Sequence, residues 1–270
     1  MGKFRKKTVT AGPLVYESIY PLPNPRDSAA VRQGKKNLTK SAQERMNLKY
    51  QWQKLECLLA SNFRVNDLVV TLTFTDANLP HSREEVKNRV KQFFKQLRKI
   101  RAQWSSVETK YIYVIEHNHY REDPTFTPGE LAQQGRYHVH MILNATGSDY
   151  GDILDAWPCG LTEVHPFEIN HDRTYETLAR YFCKEIPDYL GQRKFIPSQG
   201  LKRPETDYTT VDSKTVLIAP KDSTVYDNTG RVQTEYGAYQ YIKYVWPKLI
   251  DRAPTSRKKK RRRMQSGKRK

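Results

Sequence analysis

The sequence predicts an α+β protein with a mixed antiparallel sheet that carries helices mainly on one face. Apolar, β-branched runs alternate with amphipathic stretches in the order strand, helix, strand, strand, helix, strand, helix. A length of 270 residues is enough to bury a substantial core. The chain has 37% hydrophobic and 11% aromatic residues, which fits a folded protein. The second face of the sheet is expected to be open for a functional site.

The first half of the predicted core alternates helices and strands. Residues 38–62 show a loose apolar stripe typical of a helix, and the β-branched run 68–74 predicts a strand that ends at turn residues. Ser82 precedes two glutamates and a series of apolar residues at three-to-four spacing, which predicts a capped helix over 82–104. A second strand is expected over 111–116.

The second half begins with a strand that contains two histidines, over residues 135–143. A polar loop that contains proline separates it from the preceding strand. A short helix, a strand and a further helix are expected over 149–157, 161–167 and 173–186. Later residues suggest a strand over 215–219, a hairpin turn at 227–230 and an aromatic helix over 236–250.

Composition divides the chain into three parts. Residues 1–37 combine basic residues with prolines and are expected to form an extended, poorly ordered basic arm. Residues 38–250 form the predicted folded domain, with a core over 66–190 and a C-terminal extension. Residues 251–270 form a basic tail, because ten of the last fourteen residues are lysine or arginine. The core sheet is expected to be ferredoxin-like or RRM-like, with the arm and tail as extensions.

The net charge of +18 indicates an anionic partner, and nucleic acid is the first candidate. No apolar run approaches the roughly 18 residues that would span a membrane, and the N-terminus lacks the apolar segment of a secretory signal. A soluble, cytoplasmic protein is expected, with no membrane partner. The three cysteines are too widely spaced for a disulfide framework. Without a GxxxxGK[ST] loop, no nucleotide cofactor is expected, so any helicase must be another protein.

The segment with the clearest chemistry contains His138 and His140, which are separated by one apolar residue in a predicted strand. Successive side chains of a strand alternate between faces, so the two imidazoles point the same way. This arrangement makes a two-pronged clamp for a metal ion. The alternative is a pair of polar residues on the wet face of a half-buried strand.

A carboxylate is needed to complete a site for a hard divalent ion. Glu116 ends the neighbouring apolar strand and is the expected third ligand, with His117, His119 and Asp123 as alternatives, and a simple charge at a strand end as the non-functional interpretation. Two imidazoles and one carboxylate leave coordination positions open. Such a site suits Mg²⁺ or Mn²⁺ bound to a substrate phosphate better than a closed structural zinc site.

The later helix carries a potential nucleophile, Tyr181, three residues before the cation Lys184. This spacing places both on one side of the helix. Tyr181 lies beside the apolar stripe, so it can project from the helix edge toward the open face of the sheet. The alternative is an ordinary tyrosine at the boundary of the core. Tyr175 lies six residues earlier, about 120° around the helix, which favours a single nucleophile.

Together these residues resemble the HUH endonucleases, in particular the rolling-circle replication initiators of small phages and plasmids. The resemblance covers roughly residues 66–190. It consists of a first motif on a central strand, the histidine pair, a carboxylate and a YxxK motif, here Thr71-Leu72-Thr73-Phe74, His138-Val139-His140, Glu116 and Tyr181-Phe182-Cys183-Lys184.

The resemblance implies a role for each residue. Tyr181 would be the nucleophile, Lys184 its assisting cation, and a Mg²⁺ or Mn²⁺ ion would be held by His138, His140 and Glu116. The product would be a 5′-phosphotyrosyl link with a free 3′-hydroxyl. Because that ester keeps the energy of the broken bond, a later 3′-hydroxyl can reverse the step and rejoin the strand.

The expected substrate is single-stranded or hairpin origin DNA, because a metal on a sheet surface cannot reach a phosphate in an intact, stacked duplex. Basic residues near the site and in the tail would supply a salt-sensitive grip on DNA. The tail is alternatively a solvated charge run. The candidate DNA-binding residues are Arg136, Arg180, Lys258, Lys259, Lys260, Arg261, Arg262 and Arg263.

Other functions are also compatible with the sequence. A plasmid relaxase or an HUH transposase would use the same chemistry. A ferredoxin-like protein that binds nucleic acid without catalysis would place aromatic residues on its open face, where this chain has His138 and His140. A hydrolytic metallonuclease would use water as the nucleophile, and Tyr181 would then be incidental.

Overall fold

The computed structural model describes residues 4–22, 40–118, 136–147, 149–168, 175–184, 195–234 and 237–247. Their strands form two five-stranded antiparallel sheets, accompanied by helices, so the predicted α+β class is confirmed. Within these residues no helix is both long enough and apolar enough to cross a membrane. The loop over 119–135 and the tail from 248 onward lie outside the described residues.

The elements follow one another along the chain as β1 (Phe4–Ala11), β2 (Leu14–Pro21), α1 (Lys40–Asn62), β3 (Leu68–Leu72), α2 (Arg83–Arg101), β4 (Tyr111–Asn118), β5 (Arg136–Leu143), α3 (Asp149–Ala156), β6 (Thr162–Pro166), α4 (Glu176–Lys184), β7 (Ile196–Pro197), β8 (Glu205–Val211), β9 (Thr224–Thr234) and β10 (Gly237–Val245). A short 3₁₀ turn, Asp76–Asn78, follows β3.

The central sheet has the order β6-β3-β5-β4-β7. One of its faces is covered by α2 and α3, whose apolar residues share a buried cluster with alternate residues of the strands. The predicted cap of α2 is confirmed, because the Ser82 side chain accepts a hydrogen bond from the Glu85 amide at 3.2 Å. Four residues of α2 at three-to-four spacing are almost completely buried: Val86, Val90, Phe93 and Leu97.

The other face is not free of helices, which corrects the expectation that helices lie mainly on one face. At one end of the face, α1 and α4 pack over Ile112, Val114 and Ile142. At that end the strands carry apolar residues on both faces of the sheet. Both faces must therefore be covered to remove these residues from water. The other end of the same face carries Glu116 and the two histidines, and it forms the candidate site.

The second sheet has the order β8-β1-β2-β10-β9 and includes the N-terminal strands. The prediction of a poorly ordered arm is therefore wrong for residues 4–21. The basic residues Arg5, Lys6 and Lys7 are consecutive in β1, which is partly exposed, and Pro13 sits in the turn before β2. Gly12 in this turn has a φ of +56°, and a Cβ there would lie 2.3 Å from the Ala60 carbonyl oxygen.

The C-terminal predictions also need correction. The expected aromatic helix over 236–250 is instead β10, and the expected turn at 227–230 lies inside β9, next to a register irregularity in its pairing with β10. The predicted strand over 215–219 is a loop that covers one face of the second sheet through Leu217. Tyrosine and β-branched residues favour strands, so the aromatic run is better suited to β10 than to a helix.

A buried charged network joins α1, the second sheet and α4. The Lys243 ammonium contacts Glu56 Oε1 at 2.7 Å and Glu176 Oε2 at 2.6 Å, and the Tyr16 hydroxyl donates to Glu56. Lys243 is 3% exposed and Glu56 is not exposed at all. Burial raises the pKa of Glu56, and Lys243 opposes this shift. The network fixes the position of α4 through Glu176 in its first turn.

Replacing Lys243 with methionine should destabilise the protein by about 3–5 kcal/mol, because Glu56 would be left buried without its cation. The double variant Glu56→Gln/Lys243→Met should recover part of this loss. Urea unfolding followed by circular dichroism measures both values. Lys95→Met on the exposed side of α2 is the control and should change stability by no more than about 0.5 kcal/mol. Equal effects at the two lysines would contradict the account.

Candidate active site

The register of three strands brings the predicted metal ligands onto one surface. In this register Thr71 of β3 and Val114 of β4 both lie opposite His140 of β5. Glu116 lies directly opposite His138. Side chains alternate along each strand, so these five side chains lie at the same end of this face. All of them except Val114 are polar.

The closest contact in the site joins a histidine and the carboxylate. His140 Nε2 lies 2.6 Å from Glu116 Oε2, and the two side chains are only 12% and 9% exposed. This diagonal pair spans neighbouring strands and is within the reach of long side chains. Because an ionised carboxylate can only accept, the proton between them belongs to His140 Nε2 when Glu116 is charged.

Thr71 contacts the other nitrogen of the same ring. Its hydroxyl oxygen lies 3.2 Å from His140 Nδ1. A hydroxyl can either donate or accept, so Thr71 can hold the ring in either neutral tautomer. The sequence interpretation placed Thr71 in a motif but gave it no role. The sequence does contain a signal for this role, because Thr71 is a polar residue in an apolar strand and alternation places it on the face of the site.

His138 lies on the same face but is less closely engaged. Its ring centroid is 6.5 Å from that of His140. Burial lowers the pKa of His138, and the charge of Arg136 lowers it further. The imidazole is therefore neutral near pH 7, which is the state that a metal ligand requires.

The alternative third ligands do not compete with Glu116 among the described residues. His117 has the opposite parity in β4 and stacks on Tyr137 with ring centroids 4.2 Å apart. Alternation therefore directs its side chain to the other face of the sheet. His119 and Asp123 lie outside the described residues.

Tyr181 reaches the site from α4. Its hydroxyl lies 3.5 Å from His140 Nε2, and the two rings meet edge to face with centroids 5.5 Å apart. The side chain is 42% exposed, so the hydroxyl is accessible to water and to a substrate. The sequence predicts that Tyr181 lies on the helix edge next to the apolar stripe. In the structure this edge faces β5, which carries the two histidines.

Tyr175 has a different environment. Its ring is buried against Phe167, and its hydroxyl donates to the Phe63 carbonyl oxygen at 2.8 Å. Burial raises the pKa of Tyr175 to about 12. A phenol that is buried, bonded to the backbone and less acidic is a poor nucleophile, so Tyr181 is the tyrosine suited to chemistry at this face.

The side chains at this site are of the types that bind divalent cations. One imidazole nitrogen and one carboxylate oxygen are already in contact, and His138 offers a third donor on the same face. Thr71 could accept a hydrogen bond from Nδ1 of His140 if Nε2 bound a metal. Within the residues described, no three His, Cys, Asp or Glu side chains are grouped closely enough to hold a metal ion.

The candidate DNA-binding arginines have partners within the protein. Arg136 pairs with Asp76 in the turn after β3, and it shares the parity of His138. Arg180 donates to Glu176 at 2.6 Å and lies over the Trp52 ring at 4.5 Å. The side chain of Lys184 and the whole of residues 258–263 lie outside the described part of the chain.

Glu176 was not singled out from the sequence. It accepts hydrogen bonds from Lys243 and Arg180, and these lower its pKa although burial opposes the shift. Glu176 therefore links the helix of Tyr181 to the second sheet. Its partner Lys243 is 67 residues away in sequence, so no local pattern could have revealed this contact.

Comparison with known proteins relates part of the chain to a family model. Residues 67–186, somewhat under half of the chain, match the family model of Replication-associated protein ORF2/G2P. The matched segment contains the whole candidate site, from Thr71 to Tyr181, and supports a replication initiator role. No curated protein and no solved structure shows significant similarity to the chain.

Proposed function

We propose that this protein initiates rolling-circle replication by nicking and rejoining single-stranded origin DNA, with Tyr181 as the nucleophile. The match to a replication-associated family supports an initiator that binds origin DNA and has nickase activity. The observation that supports Tyr181 as the nucleophile is the position of its hydroxyl, 3.5 Å from a histidine that contacts Glu116. A relaxase or transposase would share this chemistry, and the family match favours the initiator.

In the proposed step the Tyr181 oxygen attacks phosphorus, and the bond from phosphorus to the 3′-oxygen breaks. The phenol loses its proton and the leaving 3′-oxygen gains one, so the DNA ends as a 3′-hydroxyl and a 5′-phosphotyrosyl ester. Only about one tyrosine in a thousand is ionised at neutral pH, a deficit of about 4 kcal/mol. The exposure of Tyr181 lets its proton leave to water.

The chain's own residues organise this step. The Glu116 carboxylate and Thr71 hydroxyl hold the His140 ring from both sides, which fixes the surface that faces the phenol. A Mg²⁺ or Mn²⁺ ion held by His138, His140 and Glu116 would polarise the phosphate. Lys184 is proposed to offset negative charge near the reacting oxygen.

The proposed substrate is a single strand or an extruded hairpin. The reacting groups lie on a sheet face that is partly covered by α1 and α4. The DNA strand that carries the reacting phosphate must therefore approach without its complementary strand. Arg136 and Arg180 lie close to the site residues in sequence and would contact the DNA backbone, with the basic tail of Lys258 to Arg263 as an additional grip. A separate host polymerase would then extend the free 3′-hydroxyl while a separate host helicase unwinds the duplex, in a phage or plasmid context in bacterial cytoplasm.

Tyr181→Phe should abolish covalent attachment to DNA, because it removes the attacking oxygen and keeps the ring. Wild-type protein incubated with a single-stranded origin oligonucleotide and Mn²⁺ should give an adduct that survives denaturing electrophoresis. Tyr175→Phe is the matched control and should retain the adduct. Cleavage that persists in Tyr181→Phe without any adduct would instead establish a hydrolytic nuclease.

Removal of the metal or of a proposed ligand should stop cleavage while oligonucleotide binding stays mostly intact. A chelator should eliminate nicking and added Mn²⁺ should restore it. His138→Ala should lower the nicking rate by at least about 100-fold, since even the loss of a residue that supports a ligand costs about 10–100-fold. His81→Ala, in the loop before α2, is the control and should have little effect.

Binding and cleavage are measured separately by fluorescence anisotropy and by gel assay. If His138→Ala loses binding in proportion to cleavage, the histidine is structural and the metal proposal fails. Nicking that continues undiminished in the chelator would also contradict it.

A further inference from the structure

A second groove lies away from the candidate active site, between α1 and the second sheet. It encloses about 500 Å³, a volume within the range of small-ligand pockets. All of its lining residues lie outside the segment 67–186 that matches the replication family. The side chains that line it include Lys7, Tyr16, Lys49, Tyr50, Lys54, Tyr239 and Tyr241.

Tyrosine rings form a large part of this groove. Tyr16 and Tyr241 are packed 6.1 Å apart, centroid to centroid. Tyr239 and Tyr50 are 36% and 68% exposed, so their ring faces are accessible. Nucleic-acid bases stack on such rings without regard to sequence.

The groove also carries an excess of positive charge. Lys7, Lys49 and Lys54 line it, together with the acids Glu17 and Asp227. Glu17 is already paired with Lys6, whose ammonium lies 2.8 Å away. Three lysines and accessible tyrosine rings together match a strand with unpaired bases and a phosphate backbone better than a neutral ligand or an apolar peptide.

The groove also has a rigid base. The Tyr16 hydroxyl donates a hydrogen bond to Glu56. Lys243 forms ion pairs with Glu56 and with Glu176 in the first turn of α4. The Tyr16 ring is therefore held in place rather than free to collapse into the groove. A preformed surface reduces the ordering cost of binding.

We propose that this groove is an accessory binding site for single-stranded DNA, which holds one or two nucleotides of the strand apart from the nicking site. The proposal rests on the proposed function for the identity of the polymer. Binding is expected to be tolerant of sequence and sensitive to salt, as it depends on stacking and on phosphate contacts.

The proposal is tested in the Tyr181→Phe background with a chelator present, so that neither tyrosine attack nor metal-assisted hydrolysis cuts the probe. Thymidine oligonucleotides are the probe, and anisotropy is measured over a range of salt concentrations. Lys49→Glu/Lys54→Glu should weaken binding about tenfold and reduce the salt dependence. Tyr50→Ala should weaken binding with little change in the salt dependence, because it removes a stacking surface and no charge.

The matched control is Lys95→Glu/Lys99→Glu, which makes the same charge change on exposed positions of α2. It should alter affinity less than twofold. All of the substituted residues are exposed, and circular dichroism verifies that the variants are folded. If the control weakens binding as much as the groove variant, the effect is general electrostatics and the groove proposal is overturned.

Photocrosslinking with 5-iododeoxyuridine oligonucleotides locates the contact directly. Crosslinks on the tryptic peptide of residues 50–54, which contains Tyr50, are expected. Crosslinks confined to residues 136–143 or to the tail would overturn the proposal. A wild-type protein that never forms an adduct yet crosslinks at Tyr50 would contradict only the proposed nicking chemistry.

Discussion

The candidate site depends on the pairing register of β5 with β3 and β4. This register places His140 between Thr71 and Val114 and aligns His138 with Glu116. A slip of one residue would turn both histidines toward the core under α2 and bring Val139 to the site. Apolar residues at alternate positions of β5 prevent such a slip, since Val139 and Met141 are completely buried. The hydrophobic pattern thus fixes the position of the polar chemistry.

The helix of Tyr181 is positioned by contacts that reach beyond the matched segment. Phe182 and Cys183 bury α4 against α1, while Glu176 binds Lys243 of the second sheet. A nucleophile on a helix needs such anchoring, because catalytic geometry tolerates errors of only about half an ångström. The strands of the second sheet therefore support the candidate active site, and they also line the groove beside α1.

Local patterns predicted most of the central sheet and its helices. Two-residue alternation revealed β5, and the Ser82 cap revealed the start of α2. The N-terminal strands were missed because basic residues and prolines suggested disorder, and strand pairing with distant partners outweighed that local signal. The roles of Thr71 and Glu176 depend on neighbours far away in sequence, so they became visible only in three dimensions.

The most direct test of the central claim is to identify the residue that carries DNA after nicking. The covalent complex would be digested with nuclease and trypsin, and the peptide that bears a nucleotide would be sequenced by mass spectrometry. If Tyr181 is the nucleophile, the first residue of the peptide that begins at Tyr181 carries the nucleotide ester. A nucleotide on any other residue would contradict this assignment.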